Sequence, residues 1–309
     1  MKNIKINQAE GISERDKERT SVTVLGLGPM GQSIARTFLK NGHPTTVWNR
    51  TAEKAKNLVK QGAVLAGSIT DAVQASPLIV ICVLDYDAVH AILKPVEDDL
   101  NGRTLVNLTA DSPKRARETA IWASEHGIDY LDGAIMIPSL GNPSALILYS
   151  GTEEAFKTYH TTLASLGGTA DYLGSDPGRA AAYDVSLLDL FWTSMIGYIH
   201  ALAVAKTENI AAKDIVGYAQ RMVNIFPGVP EIMSLIADEV DTGHYPGDES
   251  NIISAKVGID HIIHTAQSNG IDVSVLSSTR AIAQKAIDDG QGTDGFTRLV
   301  EVLLHSKNH

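Results

Sequence analysis

A β-strand that runs directly into a glycine-rich turn and then a helix leaves few folds open to a chain, and residues 22–31 have that form. The stretch Val22-Thr23-Val24-Leu25-Gly26-Leu27-Gly28-Pro29-Met30-Gly31 contains G-x-G-x-x-G. The apolar run 22–25 reads as a strand, and 31–40 as a helix that stops at Asn41-Gly42, a pair suited to a helix C-terminus. The glycine pattern alone is a weak signal; between a strand and a helix it is specific. Gly26 permits the tight turn, Gly28 lets the backbone approach a pyrophosphate, and Gly31 lets helix pack closely on strand. The free N–H groups and dipole at the helix start favour an anion there. Gly26, Leu27, Gly28, Pro29, Met30 and Gly31 are therefore assigned to a dinucleotide cofactor.

From 21 to about 150, further apolar runs at 45–48, 78–83, 104–108 and 146–149 alternate with amphipathic stretches. Alternation of this kind predicts an α/β fold with a parallel sheet covered on both faces. Ligands of such sheets bind at the carboxyl ends of the strands. The run 78–83 continues through Val83-Leu84-Asp85-Tyr86, which places Val83 and Leu84 in the cofactor crevice and leaves Asp85 and Tyr86 as turn residues. Asn107 and Thr109, at the end of 104–108, are candidates for the nicotinamide ribose or amide.

The end of the second strand selects the cofactor. NAD-binding chains place an acid there for the ribose 2′-hydroxyl. Here the sequence is Val47-Trp48-Asn49-Arg50-Thr51, with Lys54 one turn on and no carboxylate in place. Arg50 offers a planar fork, Asn49 and Thr51 short polar groups, and Lys54 a second charge. That set suits a 2′-phosphate, so NADPH is expected rather than NADH.

After Asp176-Pro177-Gly178 the pattern changes. Residues 179–206 contain no proline and a single glycine, Gly197, and read as one helix of roughly 40 Å. So apolar a helix must be buried along most of its surface, more than the remaining 100 or so residues can cover, which predicts a homodimer built around it. Within it, Leu188, Phe191 and Met195 follow Asp184 by four, seven and eleven positions and share its face, with Leu187 and Trp192 flanking. A carboxyl in such surroundings holds its proton to higher pH. Asp184 is then either a general acid or a buried cap near a helix start. Tyr183, beside it, is either core or a second proton donor.

The chain has 309 residues, 44% apolar and 20% charged, which suits a globular protein of two domains. The expected divisions are a solvated tail (1–20), a cofactor domain (21–178) and a helical domain (179–309). A net charge of −10 argues against nucleic acid. The single cysteine, Cys82, forbids a disulfide framework and fits a reducing cytoplasm. No signal peptide and no membrane-spanning run is expected. His43 reads as structural and His200 as a packed helix residue. His261 and His264 lack partners for a metal site, so no metal is expected.

The chain resembles the imine reductases, relatives of the β-hydroxyacid dehydrogenases. The resemblance runs from Ser21 to about Leu304 on Gly26–Gly31, Val47–Thr51, Asp132-Gly133-Ala134-Ile135-Met136-Ile137-Pro138, Asp176-Pro177-Gly178, Tyr183-Asp184-Val185-Ser186-Leu187-Leu188, Tyr245-Pro246-Gly247 and Asp294-Gly295. It implies an N-terminal Rossmann domain, a long interdomain helix and a C-terminal all-α bundle, exchanged between two chains in a domain-swapped dimer. It also implies reduction of cyclic imines to amines with NADPH. The β-hydroxyacid dehydrogenases carry a catalytic lysine on the long helix; none lies between Gly178 and Lys206 here, and Asp184 takes that position, as in the aspartate class of imine reductases. The dehydrogenases' glycine-rich substrate loop is replaced by 134–139, which brings Met136 and Ser139 to the pocket. Leu188, Phe191, Trp192 and Met195 would form one wall, and Phe226, Met233, His244 and Tyr245 of the other chain the second. Two rival readings are a hydroxyacid or aldehyde oxidoreductase and a non-catalytic NADPH-sensing regulator.

Overall fold

The computed structural model describes residues 19–137, 140–225, 229–248 and 250–305; the side chains of 137, 222–225 and 229–233 also lie outside the description. The chain divides into two compact units between Leu190 and Phe191.

The first unit is built on an eight-stranded sheet of order β3-β2-β1-β4-β5-β6-β7-β8. The strands are β1 (Val22–Leu25), β2 (Thr45–Trp48), β3 (Val64–Leu65), β4 (Leu78–Ile81), β5 (Thr104–Asn107), β6 (Asp129–Ile137), β7 (Leu146–Gly151) and β8 (Thr169–Tyr172). Helices α1 (Pro29–Lys40), α2 (Lys56–Val59), α3 (Ile69–Gln74), α4 (Tyr86–Leu93), α5 (Pro113–Glu125) and α6 (Glu153–Ala164) connect them. The central strands are buried on both faces, which is why they read as unbroken apolar runs. Their side chains still alternate: Leu78 and Val80 of β4 join Ile34, Phe38 and Val106 in one core, whereas Ile79 and Ile81 join Val89 and Leu105 in the other.

One pairing departs from the expected parallel sheet. β6 and β7 run antiparallel, with an irregular register between Ile135 and Ile137. Only eight residues separate Ile137 from Leu146, too few for the crossover that parallel neighbours need. β3, β6 and β8 were not anticipated: β3 is two residues long, and β6 and β8 mix charged and apolar residues.

The expected long helix is α7 (Arg179–Thr207). By length and composition it is apolar enough to cross a membrane, against the expectation that no segment is. Its first turn is not free: Ala180 packs with Ala134 and Leu148, and Ala181 with Tyr86 and Ala116. Farther along, Leu190, Phe191, Trp192 and Ile199 are about half exposed in the single chain.

The second unit contains α8 (Ala212–Ile225), α9 (Val229–Thr242), α10 (Ile252–Ser268), α11 (Ser274–Asp288) and α12 (Leu299–Leu304). Asn251 and Ser254 close a capping box at the start of α10. Ile252, Ala283, Ala286, Leu299 and Val302 form its small core. The Gly295 amide donates to the Tyr245 carbonyl at 3.0 Å, and a Cβ on Gly247 would lie 2.0 Å from the Thr293 carbonyl oxygen. The Tyr245-Pro246-Gly247 and Asp294-Gly295 segments are therefore two halves of one close backbone contact.

Helix α1 sits equally tightly on β1. A Cβ on Gly31 would lie 2.0 Å from the Gly26 carbonyl oxygen, whereas one on Gly28 would meet nothing within 4 Å. Gly31→Ala is expected to cost about 2 kcal/mol or more by forcing two backbone segments apart. Gly28→Ala should leave the thermal unfolding midpoint within error of wild type. Equal midpoints for both variants would contradict this packing.

Candidate active site

The sheet order reverses between β1 and β4, the switch point at which doubly wound sheets open a crevice. A cleft of about 350 Å3 lies there, lined by Gly26–Gly31, Trp48, Asn49, Arg50, Lys54, Cys82, Val83, Leu84, Ala88 and Ile92. Gly26 adopts φ +92°, and the space facing Gly28 is open. Helix α1 begins with no side-chain cap and no acid in its first turn, so its leading amides remain available to an anion. These features fit a dinucleotide pyrophosphate.

Asn49 lines the cleft beside Arg50 and also holds backbone. Its Oδ1 accepts from the Leu27 amide at 3.0 Å, and its Nδ2 donates to the Thr51 carbonyl at 3.0 Å. With the Gly26 amide donating to Trp48 O at 3.0 Å, this ties the glycine loop to the end of β2. Thr51 lies outside the lining of the cleft. Arg50 and Lys54, both exposed, form its cationic rim, with no carboxylate at the end of β2.

Val83 and Leu84 line the cleft, but Asn107 and Thr109 are buried behind it. The Thr109 hydroxyl accepts from the Val83 amide at 3.2 Å, Asn107 Oδ1 accepts from the Thr109 amide at 3.0 Å, and Asn107 Nδ2 donates to the Tyr130 hydroxyl at 3.2 Å. Their amide and hydroxyl groups hold the strand ends in place. Asp85 caps α4 through the Ala88 amide, a turn role as anticipated. Tyr86 is fully buried and not a turn residue: its hydroxyl donates to Asp132 at 2.5 Å. Asp132 also accepts from Tyr130 at 3.3 Å and from the Ala181 amide in the first turn of α7. Burial pushes the Asp132 carboxyl up to about 7; the hydrogen bonds oppose that rise and the charge of Asp184 adds to it. Sequence reading missed this cluster, although Asp132 opens one of the quoted motifs.

The start of α7 is held from three sides. Arg117 grips Asp176 with two hydrogen bonds of 2.8 Å, and the Gly178 amide donates to Asp176 at 3.0 Å. The Ser150 hydroxyl donates to the Pro177 carbonyl and accepts from the Ala180 amide. Asp184, one turn on, is 7% exposed, and burial raises its pKa. Tyr183 is 44% exposed, so the alternative that it is core does not hold in the single chain.

Met136 packs against Ala134, Leu148 and Ala180. Leu188, Phe191, Trp192 and Met195 lie exposed along α7, with Phe191 and Trp192 edge to face at 5.1 Å. Ser139 and Phe226 lie outside the described residues, as does the side chain of Met233, which belongs to α9. His244 is exposed; Tyr245 is buried, donating to Glu301 at 2.7 Å with Arg298 over its ring. His43 is structural, its Nδ1 at 3.0 Å from the Thr20 carbonyl. His200 lies 3.1 Å from the Asp272 carbonyl. A larger depression, about 530 Å3, lies between α10 and α11, but its one carboxylate, Asp260, already pairs with Lys256 and Arg280.

A glycine cradle at a switch point, a cationic rim and a buried carboxyl on an adjoining helix define a nucleotide-dependent oxidoreductase of the doubly wound α/β type. Residues 21–174 match the NAD binding domain of 6-phosphogluconate dehydrogenase, and 176–305 the NADPH-dependent reductive aminase-like C-terminal domain. An NADPH-dependent reductive aminase of Aspergillus oryzae is 33% identical over 93% of this chain and 98% of its own length. Among solved structures, an imine reductase of Bacillus cereus superposes with a TM-score of 0.86 at 36% identity, covering 93% of this chain and 100% of that one. A reductive aminase of Aspergillus terreus in complex with NADPH and ethyl-5-oxohexanoate superposes with 0.85 at 36%, covering 92% and 99%; another of its structures contains cyclohexanone and allyl amine. The chain belongs to this family of NADPH-dependent imine reductases and reductive aminases.

A phosphate held by Arg50 through charge-assisted hydrogen bonds is worth about 1.5–3 kcal/mol. Arg50→Ala is therefore expected to weaken NADPH binding about tenfold or more and leave NADH binding nearly unchanged, measured by quenching of protein fluorescence. An unaltered preference would remove Arg50 from the cofactor site.

Proposed function

We propose that this chain reduces C=N bonds of cyclic imines with NADPH, and that Asp184 supplies the proton or steadies the iminium. The observation that carries this reading is a buried carboxyl with a raised pKa on α7, where a hydroxyacid dehydrogenase would need a lysine. A carbonyl–alcohol pair needs a group that shares a proton with oxygen. An imine needs a protonated nitrogen before hydride arrives, and a desolvated carboxyl suits that task.

NADPH, when bound, would supply the hydride for the imine carbon. The loop 26–31 would seat the pyrophosphate on α1, and Arg50 and Lys54 would hold the 2′-phosphate, with Asn49 and Thr51 shaping that turn. Val83 and Leu84 would bound the nicotinamide side, with Asn107 and Thr109 behind them. The Asp184 proton passes to the nitrogen, or its carboxylate offsets the iminium charge; Tyr183 is the second proton donor. Met136, Ser139, Leu188, Phe191, Trp192 and Met195 would form one side of an apolar pocket. The relatives solved with a ketone and an amine extend the substrate class to imines assembled from those two.

The same reading divides the chain into a tail (1–20), a cofactor domain (21–178) and a helical substrate domain (179–309). It covers the exposed apolar length of α7 with a second copy, whose Phe226, Met233, His244 and Tyr245 would complete the pocket. It places the protein in the cytoplasm, where the NADPH pool is kept reduced.

Turnover of 2-methyl-1-pyrroline and 3,4-dihydroisoquinoline, followed by NADPH absorbance, tests the reaction. Asp184→Asn should lower kcat about a hundredfold or more while still binding NADPH. Full activity in that variant would transfer the proton role to Tyr183 or water. No wild-type turnover, with a strong rate on a 3-hydroxyacid, would overturn the assignment. In light scattering, the protein should appear at twice its 33.0 kDa chain mass. A stable monomer at micromolar concentration would contradict the second copy.

A further inference from the structure

We infer that Arg117 is a positioning residue for the reaction: its planar grip on Asp176 sets the angle at which α7 starts, and so where the Asp184 carboxyl stands. The inference rests on the reading of Asp184 as the proton-handling group.

The grip is built for orientation. Arg117 Nε donates to Asp176 Oδ1 and Nη2 donates to Oδ2, both at 2.8 Å, so the fork fixes the plane of the carboxylate as well as its place. The same Oδ1 accepts from the Gly178 amide at 3.0 Å, and the Asp176 carbonyl accepts from the Arg179 amide at 3.1 Å. The guanidinium lies against the bare Cα of Gly178, where a Cβ would come within 2.7 Å of its carbon and 2.8 Å of the Pro113 carbonyl oxygen. The two side chains are 49% and 44% exposed, and an ion pair so exposed adds little to stability. The Arg117 fork, helped by the Gly178 amide, holds the Asp176 carboxyl down to about 2. The pair therefore stays charged at working pH and is lost only as pH falls through that value.

The anchors at the start of α7 differ in kind. Ser150 accepts from the Ala180 amide at 2.9 Å and donates to the Pro177 carbonyl at 3.1 Å, while Asp132 accepts from the Ala181 amide. Those bonds fix neighbouring points of the backbone and leave the helix free to rock about the line through them. The hold on Asp176, ahead of the first turn, removes that freedom, because three points off one line fix the orientation of a rigid body. From Gly178, six residues of helix carry the orientation to Asp184, a rise of about 9 Å. Over that arm a tilt of roughly 6° displaces the carboxyl by about 1 Å, and a misplacement of about 1 Å can slow a reaction on the order of a hundredfold. Arg117 also belongs to the segment that shapes the cleft: eight residues earlier, Thr109 accepts from the Val83 amide of the cleft wall at 3.2 Å. One stretch of chain thus references both the cleft wall and the mount of α7.

The experiment compares wild type with Arg117→Ala and Arg117→Lys in the full chain, by kcat for 2-methyl-1-pyrroline, NADPH binding and the thermal unfolding midpoint. Arg117→Ala should lower kcat about tenfold or more, with NADPH binding and midpoint close to wild type. Arg117→Lys keeps the charge without the fork and should stay below wild type. Methylguanidinium chloride should restore kcat to Arg117→Ala, and sodium chloride at equal concentration should not. In an Asp184→Asn background, Arg117→Ala should lower kcat no further, because the group it positions is gone. Wild-type kcat in Arg117→Ala, or an equal fold loss with and without the Asp184 carboxyl, would overturn the inference. Amide hydrogen exchange with NADPH present is a readout that needs no turnover: residues 179–184 should exchange faster in Arg117→Ala, with β1 and α1 as in wild type. Unchanged exchange at 179–184 would also overturn the inference. Faster exchange there, in a protein that reduces no imine, would overturn the reading of Asp184 and leave Arg117 as the mount of α7.

Discussion

The first turn of α7 is where the buried polar contacts of the first unit converge. A helix start presents amides with no partner inside the helix, and a buried start must find them acceptors. Here Ser150 takes the Ala180 amide and Asp132 the Ala181 amide, while Asp176, gripped by Arg117, holds the preceding turn. Gly178 permits this, since a Cβ there would lie 2.7 Å from the Arg117 guanidinium carbon. These contacts fix the first turn of α7, one turn before Asp184. The Asp176-Pro177-Gly178 motif is thus a mounting for the helix.

The cofactor cleft is organised by the same economy of backbone groups. The Leu27 amide is spent on Asn49 and the Gly26 amide on Trp48, which locks the glycine loop to β2. The start of α1 carries no side-chain cap, and the space beside Gly28 is open. Behind the loop, Thr109 and Asn107 relay the position of Val83 into the buried cluster of tyrosines and carboxyl. Residues at three strand ends thus fix the wall of the cleft through hydrogen bonds.

Beyond Asp184, α7 has a different character. Its apolar residues are exposed in the single chain, and burying a large apolar side chain is worth about 1.5–3 kcal/mol. A helix that exposes this much apolar surface calls for a covering surface. The buried polar anchoring of its first turn sets that turn apart from a lipid-facing helix.

The amino-acid sequence alone determined the strand–glycine–helix unit, the strands β1, β2, β4, β5 and β7, the cationic rim at Arg50 and Lys54, and the long helix with Asp184 near its start. Each is a local signal: periodicity, a turn that only glycine allows, or a charge where another chain would have its opposite. Tertiary structure alone decided the antiparallel turn of β6 and β7, the commitment of Asn49, Asn107 and Thr109 to holding backbone, and the union of Tyr86, Tyr130 and Asp132 beneath α7. The bonds from Leu27 to Asn49, Asn107 to Tyr130, Tyr86 to Asp132 and Ala181 to Asp132 join residues 22 to 49 positions apart in the chain. No periodicity or spacing encodes such a meeting, because a hydrogen bond across a sheet depends on strand order, which many distant segments fix together.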